Sequence, residues 1–184
     1  MNTAYLGLGS NLGNRPAHLQ AAVDGLHTAD GVRVRACSPV YETEAHTTDP
    51  DEEQPSFLNA VVEAQGTCSP DDLLRLAQAL EREEGRPENR ARWAPRPLDV
   101  DLLAVGMQTR QADVLTLPHP RLADRRFVLR PWADLAPNFR VPPPFDAPVH
   151  TLLDACPDTA SIRRTSHSLR IPGPAGEKKR DDRD

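Results

Sequence analysis

The chain has 184 residues, 38% of them hydrophobic and 27% charged, which suits one soluble globular domain with a real core. A formal net charge of −5 argues against a general nucleic-acid binder, although arginines cluster after Gly85. Cys37, Cys68 and Cys156 lie too far apart for a zinc spacing or a disulfide framework, so a reducing compartment is expected. With no basic-then-apolar leader at the start and no segment of membrane-spanning length, the expectation is a cytoplasmic protein.

Residues 4–8 form a short apolar strand that runs into the turn Gly9-Ser10-Asn11-Leu12-Gly13-Asn14. A helix follows over about 15–28, with Leu19, Ala22, Val23 and Leu26 on one face. Neither a P-loop lysine nor a complete dinucleotide fingerprint accompanies that turn, so taken alone it is a tight entry into a helix. Residues 32–41 alternate apolar and basic side chains, as a half-buried strand does. The acidic stretch 42–56 reads as a long surface loop. Residues 57–64 are a strand interrupted by Asn59, which is either hydrogen-bonded within the fold or aimed at a ligand.

A second helix has Ser69 as N-cap, Pro70 in the first turn and Asp72 at capping-box spacing. Leu73, Leu76, Ala77 and Leu80 make its buried face, and Gly85 is placed to end it. Gln78 and Glu81, three apart, can share a face that the pattern alone leaves to solvent. Beyond the central stretch, 113–117 reads as a short strand and 127–135 as a short helix. Residues 140–148 are proline-rich without regular structure, and 149–155 are a last helical turn. From Ser166 onward the composition is that of a disordered tail, so the domain is expected over 1–165 and the tail over 166–184.

The chemistry concentrates in Arg90 to Leu103, a basic loop broken by Pro95 and Pro97 that ends in the strand-like Leu-Asp-Val-Asp-Leu-Leu. Side chains two apart on a strand leave the same face, so Asp99 and Asp101 project together while Val100 points into a core. Two adjacent carboxylates repel unless a cation lies between them, and hard oxygens at that spacing suit magnesium bound jointly with substrate phosphates. Arg86, Arg90, Arg92 and Arg96 supply planar donors for phosphate oxygens. Carboxylates, metal and arginines together point to phosphoryl-transfer chemistry. The element order, strand-helix-strand-strand-helix-strand, predicts an α+β fold: a ferredoxin-like antiparallel sheet with helices on one face, long loops, and the other face open to ligands.

Four stretches resemble the signatures of 6-hydroxymethyl-7,8-dihydropterin pyrophosphokinase, a folate-synthesis family. They are Gly9-Ser10-Asn11-Leu12-Gly13-Asn14, Phe57-Leu58-Asn59-Ala60, Arg92-Trp93-x-Pro-Arg96-x-Leu-Asp99-x-Asp101-Leu, and Pro118-His119-Pro120 followed by Arg125-x-Phe127-x-Leu129. The resemblance covers roughly 4–153 and implies Mg-dependent transfer of pyrophosphate from ATP to 6-hydroxymethyl-7,8-dihydropterin, with release of AMP. By similarity, Asp99 and Asp101 would hold two Mg2+ ions and Arg86 and Arg96 would clamp phosphate. Gln78, Glu81, Trp93, Leu102, Thr116, His119 and Arg125 would line the ATP site. Phe57 and Phe127 would sandwich the pterin, with Asn59, Trp93 and the backbone near Thr43 and Glu44 completing its pocket. The chain departs from the family pattern at Glu88, where an arginine is usual and Arg90 is the nearest substitute. It departs again at Ala94 for glycine, Phe57 for tyrosine and Val114 for arginine.

Three rivals carry different expectations. A nucleotidyltransferase using the same aspartates would need another carboxylate and release pyrophosphate. A ferredoxin-like RNA-binding module conflicts with the acidic charge and the 4% aromatic content. A degenerate relative that only binds ATP conflicts with the intact aspartates. The expected partners are ATP and the pterin, with no nucleic acid and no membrane, and the expected state is a monomer.

Overall fold

All but the first two residues of β1 (Asn2–Ser10) are buried, because this strand is paired along both edges. The computed structural model describes residues 1–45, 54–86 and 94–173. β1 runs antiparallel to β4 (Phe57–Gly66) on one side and to β5 (Asp99–Val105) on the other. The far edge of β4 carries β2 (Val32–Cys37) and β3 (Tyr41–Thr43) in succession, and β10 (Ile162–Arg164) pairs beyond β3. α1 (Arg15–Thr28) links β1 to β2, and α2 (Pro70–Glu83) links β4 to β5, which is the expected ferredoxin-like order.

The stretch 32–41 holds β2 and only the first residue of β3, which takes Glu42 and Thr43 from the expected loop 42–56, of which 46–53 lie outside the described residues. The break between the strands has a local cause. Pro39 has no N–H to give a ladder, and Ser38 takes over the pairing. Its amide donates to the Val61 carbonyl at 2.8 Å, and its hydroxyl accepts from the Val61 amide at 2.8 Å. α2 begins as its sequence predicts, with the Ser69 hydroxyl accepting from the Asp72 amide and the Asp72 carboxylate accepting from the Ser69 amide. Gly85 follows the helix end at φ +86, a conformation that favours glycine.

α1 and α2 cover one sheet face, burying Leu19, Ala22, Val23 and Leu26 with Leu73, Ala77 and Leu80 against Leu6, Leu58, Val62 and Leu102. The expectation of an open second face needs correction. α3 (Arg126–Leu135) and α4 (Val149–Asp154) lie there, and Val128, Leu129 and Trp132 pack on Tyr5, Val61 and Leu103. Those three strand residues are apolar and outward-pointing on that face, so leaving it uncovered would expose a continuous apolar patch. Trp132, Tyr5 and Phe139 form an aromatic cluster with ring centres 4.6 to 5.6 Å apart. Among the described residues, a cleft opens on this face near the start of β4 and the start of β5.

Smaller elements also differ from the sequence reading. β7 (Leu115–Leu117) has a partner the pattern did not reveal, β6 (Arg110–Ala112), and the proline-rich 140–148 holds a two-residue ladder between β8 (Arg140–Val141) and β9 (Ala147–Pro148). Of the stretch expected to be a tail, residues 174–184 lie outside the described residues. The preceding part runs along α1, where Gln20 exchanges hydrogen bonds of 2.7 and 2.9 Å with the Arg170 backbone and Leu169 packs against the core. Among the described residues no helix is long and apolar enough to cross a membrane.

Two outcomes follow from this packing. A Cβ on Gly66 would stand 1.9 Å from the Gly31 carbonyl oxygen and 3.2 Å from Val32 Cα. Both are backbone atoms of a paired strand and its turn, so Gly66→Ala should destabilise by about 1–3 kcal/mol. An unshifted urea midpoint would show that the turn relaxes freely. Burial pushes the Cys37 thiol up to about 11. Its alkylation rate in the native protein should therefore still be climbing steeply at pH 10, where in urea it should be near its plateau. A native profile with the same midpoint as the unfolded one would contradict this.

Candidate functional site

β5 presents its two carboxylates as alternation requires. Asp99 and Asp101 leave the face shared with Leu103, while Val100 and Leu102 are buried in the core beneath α1 and α2. Across the sheet, Asp99 pairs with Gly9 and Asp101 with Gly7, and Gly9 in turn pairs with Asn59 of β4. On this face β1 therefore runs Tyr5, Gly7, Gly9, a large covered ring followed by two missing side chains. A Cβ on Gly9 would approach the Asn59 Oδ1 at 3.3 Å and meet Phe57 and Asp99 at ordinary contact distance. The two glycines form the floor of a cleft.

That cleft is walled by Thr43, Glu44, Phe57 and Asn59 on one side and by Asp99, Asp101, Arg125 and Phe127 on the other. The Arg96 guanidinium lies 5.6 Å from the Phe57 ring centre, and that of Arg125 lies 5.6 Å from the Phe127 ring centre. Asn59 donates to the Thr43 hydroxyl at 2.8 Å, so its side chain is tied into the fold where it lines the cleft.

Charges are concentrated around β5. Arg86 and Arg96 each reach Asp99 at 2.8 Å, and Arg125 reaches Asp101 at 2.7 Å. Arg86 also pairs closely with Glu81, whose Oε1 accepts from the Val100 amide at 2.9 Å. Burial pushes the Glu81 carboxyl up to about 7, against the pull of the Val100 amide and Arg86. Burial and then the neighbouring Asp101 charge raise Asp99 as well, although Arg96 and Arg86 oppose the shift. At Asp99 the cost of burial thus outweighs the arginines that face it. Burial lowers the affinity of His119 for a proton, and its ring lies 3.4 Å from Arg125.

The turn after β1 holds this arrangement together. Asn11 is 1% exposed. Its Oδ1 accepts from the Arg96 amide at 2.7 Å, its Nδ2 donates to the Pro55 carbonyl at 3.3 Å, and its own amide donates to the Arg96 carbonyl at 3.1 Å. One side chain therefore joins the segment before β4 to the segment before β5.

A family model for 7,8-dihydro-6-hydroxymethylpterin-pyrophosphokinase matches residues 5–137. The chain belongs to this pyrophosphokinase family. It is 41% identical to the 2-amino-4-hydroxy-6-hydroxymethyldihydropteridine pyrophosphokinase of Pseudomonas aeruginosa, over 83% of this chain and 91% of the relative. It is also 41% identical to the Bacillus subtilis protein of the same name, over 73% and 78%. Against the folic acid synthesis protein of Schizosaccharomyces pombe it is 40% identical over 84% of its length, but spans only 20% of that protein. The fold matches a crystal structure of an HPPK-DHPS in complex with substrates, at a TM-score of 0.65 and 12% identity. The match covers 84% of this chain and 43% of the solved one.

Of the positions carried over from the pyrophosphokinase family, Thr43, Glu44, Phe57, Asn59, Arg96, Asp99, Asp101, Arg125 and Phe127 line one cleft. Glu81, Arg86 and His119 stand just behind it, reached through Arg86–Asp99 and Arg125. Other positions are placed differently. Gln78 is exposed on α2 while Glu81, three residues on, is buried, so the pair does not share one environment. The Leu102 side chain is in the core on the opposite sheet face, which leaves only its backbone for a ligand, and Thr116 lies on β7 away from the cleft lining. Trp93, with Glu88, Arg90 and Arg92, lies outside the described residues. Sequence reasoning missed Gly7, Gly9 and the tie made by Asn11. The alternation Tyr5-x-Gly7-x-Gly9 was the available signal for the floor.

Removing the Asn11 tie separates its two bonds. Asn11→Ala should speed hydrogen exchange at the Arg96 amide and destabilise by about 1–3 kcal/mol, since buried groups lose their partner. Asn11→Asp keeps the acceptor and should preserve Arg96 protection while losing the Pro55 contact. Equal exchange in all three proteins would show that another group holds the Arg96 segment.

Proposed function

We propose that this chain transfers the β,γ-pyrophosphoryl group of ATP to the hydroxymethyl oxygen of 6-hydroxymethyl-7,8-dihydropterin, in folate biosynthesis. The new bond forms between that oxygen and the β-phosphorus, the bond from the β-phosphorus to the α,β-bridging oxygen breaks, AMP leaves, and the hydroxyl proton is released. The observation that carries the proposal is the single cleft in which two aromatic rings, each under an arginine, flank a strand bearing two carboxylates. It fits a flat heterocycle beside a polyphosphate. Membership of the family supports the same reading.

The donor set is consistent with Mg2+: two hard carboxylates on one strand face, beside an open cleft where phosphate and water could complete the coordination. Asp99 and Asp101 would hold two such ions, which supply charge neutralisation and in-line alignment of the phosphates. The residues of this chain do the rest. Arg86 and Arg96 offer planar donors for phosphate oxygens, and Arg125 and His119 add donors on the nucleotide side. Phe57 and Phe127 provide apolar faces for the pterin, while Asn59, with Thr43 and the backbone near Glu44, reads its polar edge. Glu81 keeps Arg86 oriented and, through the Val100 amide, holds the start of β5. Gln78, Thr116, the Leu102 backbone and Trp93 complete our assignment of the ATP side. We further propose a cytoplasmic monomer.

Product analysis with ATP, magnesium and the pterin tests the reaction and its metal site together. Wild type should form AMP and a pterin diphosphate, and Asp99→Ala should lower the rate by about 10²–10³-fold or more. ADP or pyrophosphate as product, or AMP that does not depend on pterin, would sink the proposal. Pyrophosphate in particular would move the nucleotidyltransferase reading ahead.

A further inference from the structure

Behind the wall that carries Thr43 and Phe57 lies a second polar cluster that no step of the proposed reaction uses. β3 pairs with β4 as Tyr41 to Asn59, Glu42 to Leu58 and Thr43 to Phe57. Thr43 faces the cleft, so alternation sends Glu42 to the other face of the sheet. There its Oε1 accepts from the Ser56 hydroxyl at 2.9 Å and pairs with Arg15 at 3.1 Å, while its Oε2 pairs closely with Arg163 of β10. Arg15 also donates to the Ser56 carbonyl at 2.7 Å and to its hydroxyl at 2.8 Å.

Three segments far apart in the chain therefore converge on one carboxylate: the first residue of α1, the residue before Phe57, and β10. The Ser56 hydroxyl, then Arg163 and Arg15, hold the Glu42 carboxyl below the usual range, so it is ionised at neutral pH. An exposed ion pair by itself contributes little, but here the carboxylate is 20% exposed and shared among three donors, and each donor restrains the others. The adjacent backbone is the cleft wall itself: Ser56 leads into Phe57, and Glu42 into Thr43.

We infer that Glu42 is a positioning residue for the pterin half of the cleft, holding Ser56 against β3 so that the Phe57 ring and the Thr43–Asn59 hydrogen bond keep their places. The inference rests on the pterin reading of that cleft. It also gives the chain beyond residue 137, where the family match ends, a part in the site through Arg163.

The test is steady-state kinetics with each substrate varied in turn, on wild type, Glu42→Ala, Glu42→Gln, Ser56→Ala, Arg163→Ala and the Glu42→Ala/Ser56→Ala double variant. Glu42→Ala should raise the KM for pterin about tenfold and leave the KM for ATP and kcat within roughly twofold, as expected for lost positioning of one substrate. Glu42→Gln should do less, because its amide oxygen still accepts from Ser56. The double variant should be little worse than Glu42→Ala, because both changes remove the same contact. Arg163, 75% exposed, can be removed without threat to folding, and Arg163→Ala should raise the pterin KM by about threefold. A melting temperature that falls with no change in pterin KM would overturn the inference while leaving the activity intact. So would a rise in both KM values together, or additive effects in the double variant. Wild type that makes no AMP from ATP and pterin would overturn the proposed function first, and the inference with it.

Discussion

Everything about the site depends on two like charges placed side by side. Alternation along β5 puts Asp99 and Asp101 on one face, and burial beneath the cleft makes their repulsion costly. The fold answers with arginines from three directions: Arg86 from the end of α2, Arg96 from the loop before β5, and Arg125 from the turn before α3. Two of those guanidiniums, Arg96 and Arg125, also lie over Phe57 and Phe127, so groups that balance the aspartates border the aromatic walls.

The position of the cleft follows from side-chain volume. Tyr5, Val61 and Leu103 are large enough to need a cover, and α3 supplies it with Val128, Leu129 and Trp132. One strand period further along β1, Gly7 and Gly9 give the helix nothing to pack on, and the face opens there, next to the carboxylates. Core formation and site formation are thus one arrangement. Asn11 and Glu42 then hold the chain on either side of the opening, the first by a buried amide and the second by a shared carboxylate.

Much of this was legible in the chain itself. The period of Leu19, Ala22, Val23 and Leu26, the Ser69–Asp72 capping box and the Asp-Val-Asp alternation act over a few residues, and each element formed where its pattern predicted. The family resemblance carried by the four motif stretches nominated residues far apart in the chain, and nine of those positions line one cleft. Less legible were β3, β6 and β10, which are three residues each and owe their existence to a partner strand.

Local chemistry by itself therefore determined the helices, the central strands and the face on which the aspartates sit, because period and capping involve neighbours in sequence. The tertiary structure decided what long-range contact alone can decide. It covered the second face with α3, since only the assembled sheet displays the patch made by Tyr5, Val61 and Leu103. It set Gln78 in solvent and Glu81 in the interior, since the wall that buries one and not the other belongs to β5. It also joined Glu42 to Arg163 across 121 positions of chain, a partnership that no local pattern encodes because a carboxylate's partner is chosen by proximity in space.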